Sequence, residues 1–220
     1  MFDLYDLFNA QEINNSIIIY DIEQGTQEWL DIRAGNITGS KFSDILAGGN
    51  GLVRDKYITQ LAIERLTGKP IAMDYKSMAM IKGSEDEVLA REHYAFTVDE
   101  KINQVAFIYH PTILNAGCSP DALVGSDGLL EIKCPNLVTH VNYLLDKKIP
   151  NNYLKQMHWQ LACTGRQWVD WVSYCKEMPP HLRFLCIRAE RDESIIKKYN
   201  DAAIKFNQEV NELSEKLKVM

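Results

Sequence analysis

The sequence holds no C-x-x-C pair. Its five cysteines, Cys118, Cys134, Cys163, Cys175 and Cys186, are odd in number and scattered. That spacing argues against a disulfide framework or a structural zinc knot and against an iron–sulfur centre. Reduced, partly buried thiols are expected instead. No apolar run approaches the roughly 20 residues needed to span a bilayer. The first ten residues carry Asp3 and Asp6 and no basic side chain, the reverse of a secretory leader. The chain therefore reads as cytoplasmic, with no membrane partner. Glycine-rich phosphate loops, a Ser/His/Asp order, internal repeats, low-complexity tracts and Pro/Gly/Ser-rich linkers are all missing. Residues 1–220 accordingly read as one domain with a sizeable core. Excess basic charge is missing too: the formal net charge is −6, and nucleic-acid binders usually show a basic footprint.

The acidic balance is uneven. Between Lys133 and Arg191 nine Lys/Arg face four Asp/Glu, whereas the rest of the chain has 15 basic and 26 acidic residues. Acidic groups that hold a metal and basic groups that guide a strand can coexist in such a chain. Apolar residues make up 46% and charged residues 25%, the proportions of an ordinary globular protein. Apolar spacing predicts helices over Thr26 to Arg33, stopped by Gly35, and over Arg54 to Thr67, ended by Gly68. A short helix is expected after Thr38, ending before Gly48-Gly49. Further helices are expected from Ser84 to Phe96, with Ser84 and Glu87 as a capping box, from Pro150 to about Cys163, and from Glu190 to Val219. Strands are expected at Ser16 to Ile22, Lys101 to Tyr109, Ala122 to Val124, Leu129 to Lys133, Trp168 to Cys175 and Leu182 to Arg188. Strands in the middle and helices around them predict an α/β (α+β) fold with a central mixed sheet flanked by helices.

The chemistry concentrates in Ser119-Pro120-Asp121, the turn Gly125-Ser126-Asp127-Gly128, and Glu131-Ile132-Lys133. Glu131 and Lys133 lie two residues apart on a strand and so share one face. With Asp121 on that face, two carboxylates can hold a hard divalent cation through oxygen, and the lysine can stabilise developing negative charge. These are the requirements of phosphodiester hydrolysis. The register decides whether the groups meet. An even hairpin loop sets Glu131 opposite Ala122 and turns Asp121 away. An odd loop, such as Gly125-Ser126-Asp127, sets Val124 opposite Gly128 and Asp121 opposite Glu131. An odd loop, with Gly128 as a left-handed bulge residue, or a chain bend after Pro120 is therefore expected. The competing reading is a solvated strand with alternating charge.

Four segments, in order from Trp29 to Gly165, carry a resemblance. Trp29 to Ser40 is similar to W-x-x-x-R-x-G-x-I-T-x-S, and Gly83 to Arg91 to G-x-x-x-E-x-x-A-R. The third segment is the Ser119 to Pro135 hairpin. The fourth is Tyr153 to Leu161, a Y-x-x-Q helix. Together they resemble the lambda exonuclease group, the YqaJ-like viral recombinases, within the PD-(D/E)xK (restriction-endonuclease-like) nuclease fold.

The resemblance implies that Asp121, Glu131 and the Ile132 carbonyl ligate Mg²⁺, with Mn²⁺ as a substitute. It implies that Lys133 meets the attacking water or the scissile phosphate, that Glu87 faces the metal from its helix, and that Gln156 reaches the site. Arg33, Ser40 and Ser119 would hold a terminal 5′-phosphate, for which a guanidinium fork and hydroxyls are suited. The implied activity is a 5′→3′ exonuclease on double-stranded DNA, releasing mononucleotides and leaving 3′ single-stranded tails. A homotrimeric ring and a single-strand annealing protein as partner are implied by resemblance alone. An endonuclease or RecB-like nuclease of the same fold, or a non-catalytic DNA-binding module, are the alternatives. His158 lacks a second histidine one turn on, and Trp159, Trp168 and Trp171 sit at core-facing positions, so packing roles are expected for all four.

Overall fold

The computed structural model describes residues 10–13, 16–47, 51–71 and 78–220, with side chains from 16–47, 51–71 and 85–220. Among the described residues nine strands form two sheets: β1 (Ala10–Ile13), β2 (Ser16–Ile19), β3 (Ile102–Asn103), β4 (Phe107–Tyr109), β5 (Gly117–Cys118), β6 (Ala122–Val124), β7 (Gly128–Lys133), β8 (Trp168–Tyr174) and β9 (Phe184–Glu190). The smaller sheet has the order β1-β2-β4-β5 and is antiparallel throughout. The larger has the order β3-β6-β7-β8-β9, with only the β7–β8 pair parallel. This is the mixed sheet expected. The helices are α1 (Gln27–Arg33), α2 (Phe42–Ile45), α3 (Leu52–Thr67), α4 (Met78–Ala95), α5 (Leu137–Asp146), α6 (Asn151–Thr164) and α7 (Glu193–Lys218), with a 3₁₀ turn at Gly39–Lys41. A parallel pair needs a long crossover, and α5 and α6 supply it between β7 and β8.

The central strands explain the burial. β7, Gly-Leu-Leu-Glu-Ile-Lys, is buried on both faces up to Lys133. Leu130 and Ile132 point to one side, into a cluster with Ala90 and Tyr94 of α4. Leu129 points to the other, into the main core with Met157, Trp159 and Leu161 of α6 and Ile196, Tyr199, Ala203, Phe206 and Val210 of α7. Glu131 and Lys133 share the phase of Leu129, so both emerge beneath α6. Trp159 stacks on Phe42 at 4.3 Å between ring centres and donates Nε1–H to Gly117 O at 3.0 Å. Trp171 is fully buried, and His158 lies in the interior at 8% exposure. The packing roles expected for these residues fit. Trp168 is half-buried, with the Arg188 guanidinium 3.5 Å from its ring centre.

Four expectations are corrected. Lys101 to Tyr109 is not one strand but two, β3 and β4, in different sheets. Val105 and Ala106 between them are both buried, so the stretch never shows the one-sided alternation of a single half-buried strand. The helix expected from Ser84 begins six residues earlier, at Met78. Ser84 therefore lies inside α4 and does not cap it. α5 was not anticipated: Leu137 and Val138 are exposed, which blurs its apolar face, although Asn136 caps it by accepting from Thr139 N. Finally, the left-handed residue of the hairpin is Gly125 (φ 51°), not Gly128. Gly128 is small for another reason: a Cβ there would lie 2.1 Å from Trp168 Cη2. The stop expected at Gly48-Gly49 lies outside the described residues.

The hairpin loop is odd. Val124 pairs with Gly128, Leu123 with Leu129 and Ala122 with Leu130, and Asp121 N–H donates to Leu130 O at 3.0 Å. Arg166 locks this register from outside. Its Nη1 donates to the carbonyls of Val124 (3.2 Å), Gly125 (3.0 Å) and Gly128 (2.7 Å). Arg166→Ala would strip one cationic donor from three half-buried carbonyls, a loss of roughly 2–4 kcal/mol. The expected result is a lower denaturant midpoint at constant slope. An unchanged midpoint would show that the clamp contributes nothing.

Candidate active site

The chain changes sheets between β5 and β6, and the linking residues are Ser119, Pro120 and Asp121. Gln24 holds this link: its Nε2 donates to Val105 O at 2.8 Å and to Pro120 O at 2.9 Å. The odd loop then brings Asp121 level with Glu131. Asp121 Oδ2 accepts the N–H of Ile132, the residue between Glu131 and Lys133. Asp121, Glu131 and Lys133 thus meet at one end of β6 and β7.

Glu131 is 1% exposed, and a buried carboxylate must be surrounded by donors. Its Oε1 accepts from Lys133 Nζ and from Gln156 Nε2 (2.6 Å), and its Oε2 accepts from Gln160 Nε2 (2.6 Å). Gln156, expected to reach the site, does so. Gln160 was not singled out, although a residue one turn beyond Gln156 lies on the same helix face. The Lys133 ammonium also stands 5.3 Å from the centre of the Tyr153 ring, which stacks on Trp171. Burial alone would lower the lysine's proton affinity; the charges of Glu131 and Asp121 and the Glu131 hydrogen bond outweigh it and raise it. Lys133 therefore stays cationic.

Asp121 is pushed well above the usual carboxylate range. Burial is the main cause, followed by repulsion from Glu131 and Glu87; Lys133 and the Ile132 N–H oppose it without prevailing. Glu87 is also raised, by burial first, against the pull of Arg91 and Lys133. Its carboxylate pairs with Arg91 of the next helical turn. The charges of Lys133 and Glu131 act on Glu87, and that of Glu87 acts on Asp121.

Three mutually repelling carboxyl groups, two of them held toward the protonated form, are what a divalent cation relieves. Among the described residues no three Asp, Glu, His or Cys side chains form a ready metal cage. The donors that fit are the two carboxylates of Asp121 and Glu131 with the Ile132 main-chain carbonyl. That oxygen-only, incomplete set suits Mg²⁺, which retains several waters. Gln160 Oε1 is buried with no hydrogen-bond partner, an acceptor to which no donor among the described residues responds.

A second cluster lies beside the first. Arg33, at the end of α1, lays its guanidinium 3.9 Å from the centre of the Trp29 ring one turn back. Its Nη1 donates to Ser119 Oγ at 2.9 Å, and Trp29 Nε1 donates to the same oxygen at 3.2 Å and to Ala106 O at 3.0 Å. Ser119 O–H donates to Ala106 O at 2.7 Å. The Ala106 carbonyl is free for this because the strand is interrupted between β3 and β4. Burial pulls the Arg33 guanidinium down to about 10, against the raising influence of Tyr57, Cys118, Glu131 and Glu64. An anion placed beside that guanidinium would offset its desolvation. Ser40 is exposed on the 3₁₀ turn, and its neighbour Gly39 lies against Gln156: a Cβ on Gly39 would be 3.4 Å from Gln156 Cγ. Ser40 makes no hydrogen bond to Arg33 or Ser119. Trp29 was missed as a site residue, though its i, i+4 relation to Arg33 was visible.

The five cysteines are all free. Cys134 borders the site, its thiol pushed up to about 12 by burial and by the charges of Asp86, Glu87 and Asp121. No helix of the described residues is long and apolar enough to cross a membrane.

Residues 28–167 match the family model of the YqaJ-like viral recombinase domain. Among curated proteins there is no significant match. Among solved structures the chain is similar to LHK-Exo, an alkaline exonuclease from Laribacter hongkongensis. The identity is 39% and the TM-score 0.82, over 88% of this chain and 96% of that one. The same values hold for LHK-Exo in complex with dAMP. A phage related exonuclease from Haemophilus somnus 129PT, 13% identical, matches at a TM-score of 0.67 over 83% of this chain and 96% of that one, a likeness of fold alone. The stretch matched by the family model runs from α1 to the end of the loop before β8 and takes in Arg33, Glu87, the hairpin and α6. The chain belongs to the YqaJ-like viral recombinase family and has the nuclease fold of the alkaline exonucleases.

Proposed function

We propose that the protein is a metal-dependent 5′→3′ exonuclease that degrades one strand from double-stranded DNA ends, releases mononucleotides and leaves 3′ single-stranded tails. The observation that carries this reading is the meeting of Asp121, Glu131 and Lys133 at the end of the odd hairpin, next to the Arg33–Ser119 cluster. The exonuclease activity named for the 39%-identical relative supports it. A bound Mg²⁺ or Mn²⁺ supplies Lewis acidity at the scissile phosphate and lowers the pKa of water.

The chain's own residues do the rest. Asp121, Glu131 and the Ile132 carbonyl hold the cation. Lys133, kept charged by Glu131, stabilises the negative charge that grows on the phosphate oxygens. Glu87, steadied by Arg91, orients the attacking water. Water adds to phosphorus in line, the bond to the 3′-oxygen of the terminal nucleotide breaks, and that oxygen takes up a proton; the nucleotide leaves with a 3′-hydroxyl and its own 5′-phosphate, while the attacked phosphate stays as the new 5′ end of the strand.

Arg33, Ser40 and Ser119 receive the terminal 5′-phosphate and so set the distance to the next phosphate. Ser119 must turn its hydroxyl proton from Ala106 O to the ligand to donate there. By family resemblance the protein works as a homotrimeric ring with a single-strand annealing partner in the cytoplasm. Light scattering that gave a monomer at assay concentration would remove the ring.

The test is a time course on end-labelled linear duplex with Mg²⁺, comparing 5′-phosphate with 5′-hydroxyl ends and with covalently closed circles. Linear phosphorylated duplex is expected to yield mononucleotides, and circles are expected to survive. Cleavage of circles would replace the exonuclease with an endonuclease of the same fold. In the same assay Arg33→Ala should slow release of the first nucleotide from phosphorylated ends by about 10–100-fold, the loss of one or two charge-assisted hydrogen bonds, and leave that first release from hydroxyl ends nearly unchanged; only the first turnover separates the two, because every later end carries a 5′-phosphate. Arg33→Lys should not restore the rate, because an ammonium neither forks nor stacks on Trp29 as a guanidinium does. Equal slowing of both kinds of end would move Arg33 out of the phosphate pocket.

A further inference from the structure

We infer that Gln160 is a positioning residue for the divalent cation: it fixes the rotation of the Glu131 carboxylate so that Oε2 faces the ion. The inference rests on the metal-dependent reading above and adds a residue that neither the hairpin motif nor the Tyr153–Gln156 motif assigns.

The donors around Glu131 are unequally shared. Oε1 takes two, Lys133 Nζ and Gln156 Nε2, while Oε2 takes one, Gln160 Nε2. A carboxylate offers about four lone-pair positions in all. Oε1 is therefore filled, and the open position belongs to Oε2. A cation that uses Glu131 must use Oε2, and Gln160 is the chain's only donor on that oxygen among the described residues. Gln156 and Gln160 stand one turn apart on α6, each holding a different oxygen of the same group. Together they fix a terminal torsion that is otherwise broad. Removing Gln160 leaves the carboxylate pinned at Oε1 but free to swing Oε2.

The amide's orientation is forced. Gln160 is completely buried, and a flipped amide would set its carbonyl oxygen against a carboxylate oxygen at 2.6 Å. Nε2 must face Glu131, which leaves Oε1 as the unpartnered atom. A buried acceptor without a donor is unfavourable and rare in proteins, and it calls for an explanation. If Gln160 served only to fill the core, an apolar side chain of the same size would do so without that penalty. Carboxylates that ligate metals are held by such outer hydrogen bonds, and their loss weakens metal binding by about 10–100-fold.

The experiment compares the parent with Gln160→Met, which keeps volume, and with Gln160→Asn, which keeps the amide but draws it back by one methylene. Leu161→Ala, also fully buried on α6, serves as a packing control whose side chain has no hydrogen bond to give Glu131. Mn²⁺ and Mg²⁺ binding to the DNA-free proteins is read by titration calorimetry, folding by circular dichroism, and cleavage of linear duplex as a function of Mg²⁺. Either Gln160 variant that folds should show a dissociation constant raised about 10–100-fold. Its half-saturating Mg²⁺ should rise to match, and excess Mg²⁺ should restore most of the maximal rate. Leu161→Ala should lose thermal stability with its metal affinity intact. Gln160 variants that bind Mn²⁺ as the parent does and lose only thermal stability would overturn the inference, leaving the nuclease reading in place. A parent that binds neither ion would overturn the metal assignment itself, and this inference with it.

Discussion

Asp121→Asn is expected to reduce DNA cleavage by at least about 1,000-fold while making the metal-free protein more stable. The first effect follows from loss of a carboxylate ligand. Lewis-acid assistance is worth several kcal/mol, and about 4 kcal/mol corresponds to three decades in rate. The fold is spared because the Asn carbonyl oxygen can still accept the Ile132 N–H that Asp121 now accepts.

The second effect follows from linkage. Burial, Glu131 and Glu87 raise the Asp121 carboxyl well above its ordinary 3.8. Between 3.8 and that raised value the native state binds more protons than the unfolded one, so stability falls as pH rises through the interval. Asn has no proton to lose, and the variant should escape this decline. Thermal melts of both proteins in chelator from acid to alkaline pH, beside an end-labelled duplex assay with Mg²⁺, test the two halves together. A variant that cleaves DNA at the parental rate removes Asp121 from the chemistry. A variant whose melting temperature tracks the parent's at every pH removes the electrostatic strain.

Lys133→Met is expected to lower the maximal rate by about 100–1,000-fold, the loss typical when one fixed donor to a developing charge is removed. Its signature on stability is opposite to that of Asp121→Asn. Glu131 is 1% exposed and would keep only the two amide donors, Gln156 and Gln160. A buried carboxylate deprived of its cation destabilises the fold. The metal-free variant should therefore melt lower than the parent, and Mg²⁺ should raise its melting temperature by more than it raises the parent's. Metal affinity should be retained or improved, since a positive charge that repels the ion has been removed from beside Glu131. The discriminating measurement is the maximal rate at saturating Mg²⁺. Full recovery there would recast Lys133 as a residue that merely holds Glu131.

Much of this site is legible in the sequence. The period of two on a strand puts Glu131 and Lys133 on one face wherever that strand lies in the fold. Parity alone requires an odd loop to bring Asp121 level with Glu131, and the register has that parity. Gln156 is legible only through the resemblance of Tyr153 to Leu161 to the family's Y-x-x-Q helix. The departures have equally local causes. Gly125 and Gly128 are interchangeable in a turn signal, and the fold separates them: Gly125 takes the left-handed backbone, and Gly128 lies against the Trp168 ring. The spacing of Ser84 and Glu87 satisfies a capping pattern, yet Ser84 lies inside a helix that starts at Met78, so Glu87 is left to pair with Arg91. Lys101 to Tyr109 has the composition of one strand, but its two ends pair with different sheets, which no local pattern records.

What the sequence determined by itself was local phasing: Glu131 and Lys133 share one face, and Asp121 joins them only through an odd loop or a bend. That follows from backbone periodicity over a few residues, whereas Arg33, Glu87 and Gln156 entered through the resemblance to the family. The tertiary structure alone decided that the chain crosses between sheets at Pro120, that Gln24 holds that crossing, and that Trp29 and Arg33 both donate to Ser119 Oγ while Trp29 and Ser119 donate to the Ala106 carbonyl. It also decided that Gln160 takes one oxygen of Glu131 while Gln156 takes the other. These contacts join residues 13 to 96 positions apart. Contacts over such separations are set by how whole layers pack, and a buried charge accepts whatever donors that packing brings to it.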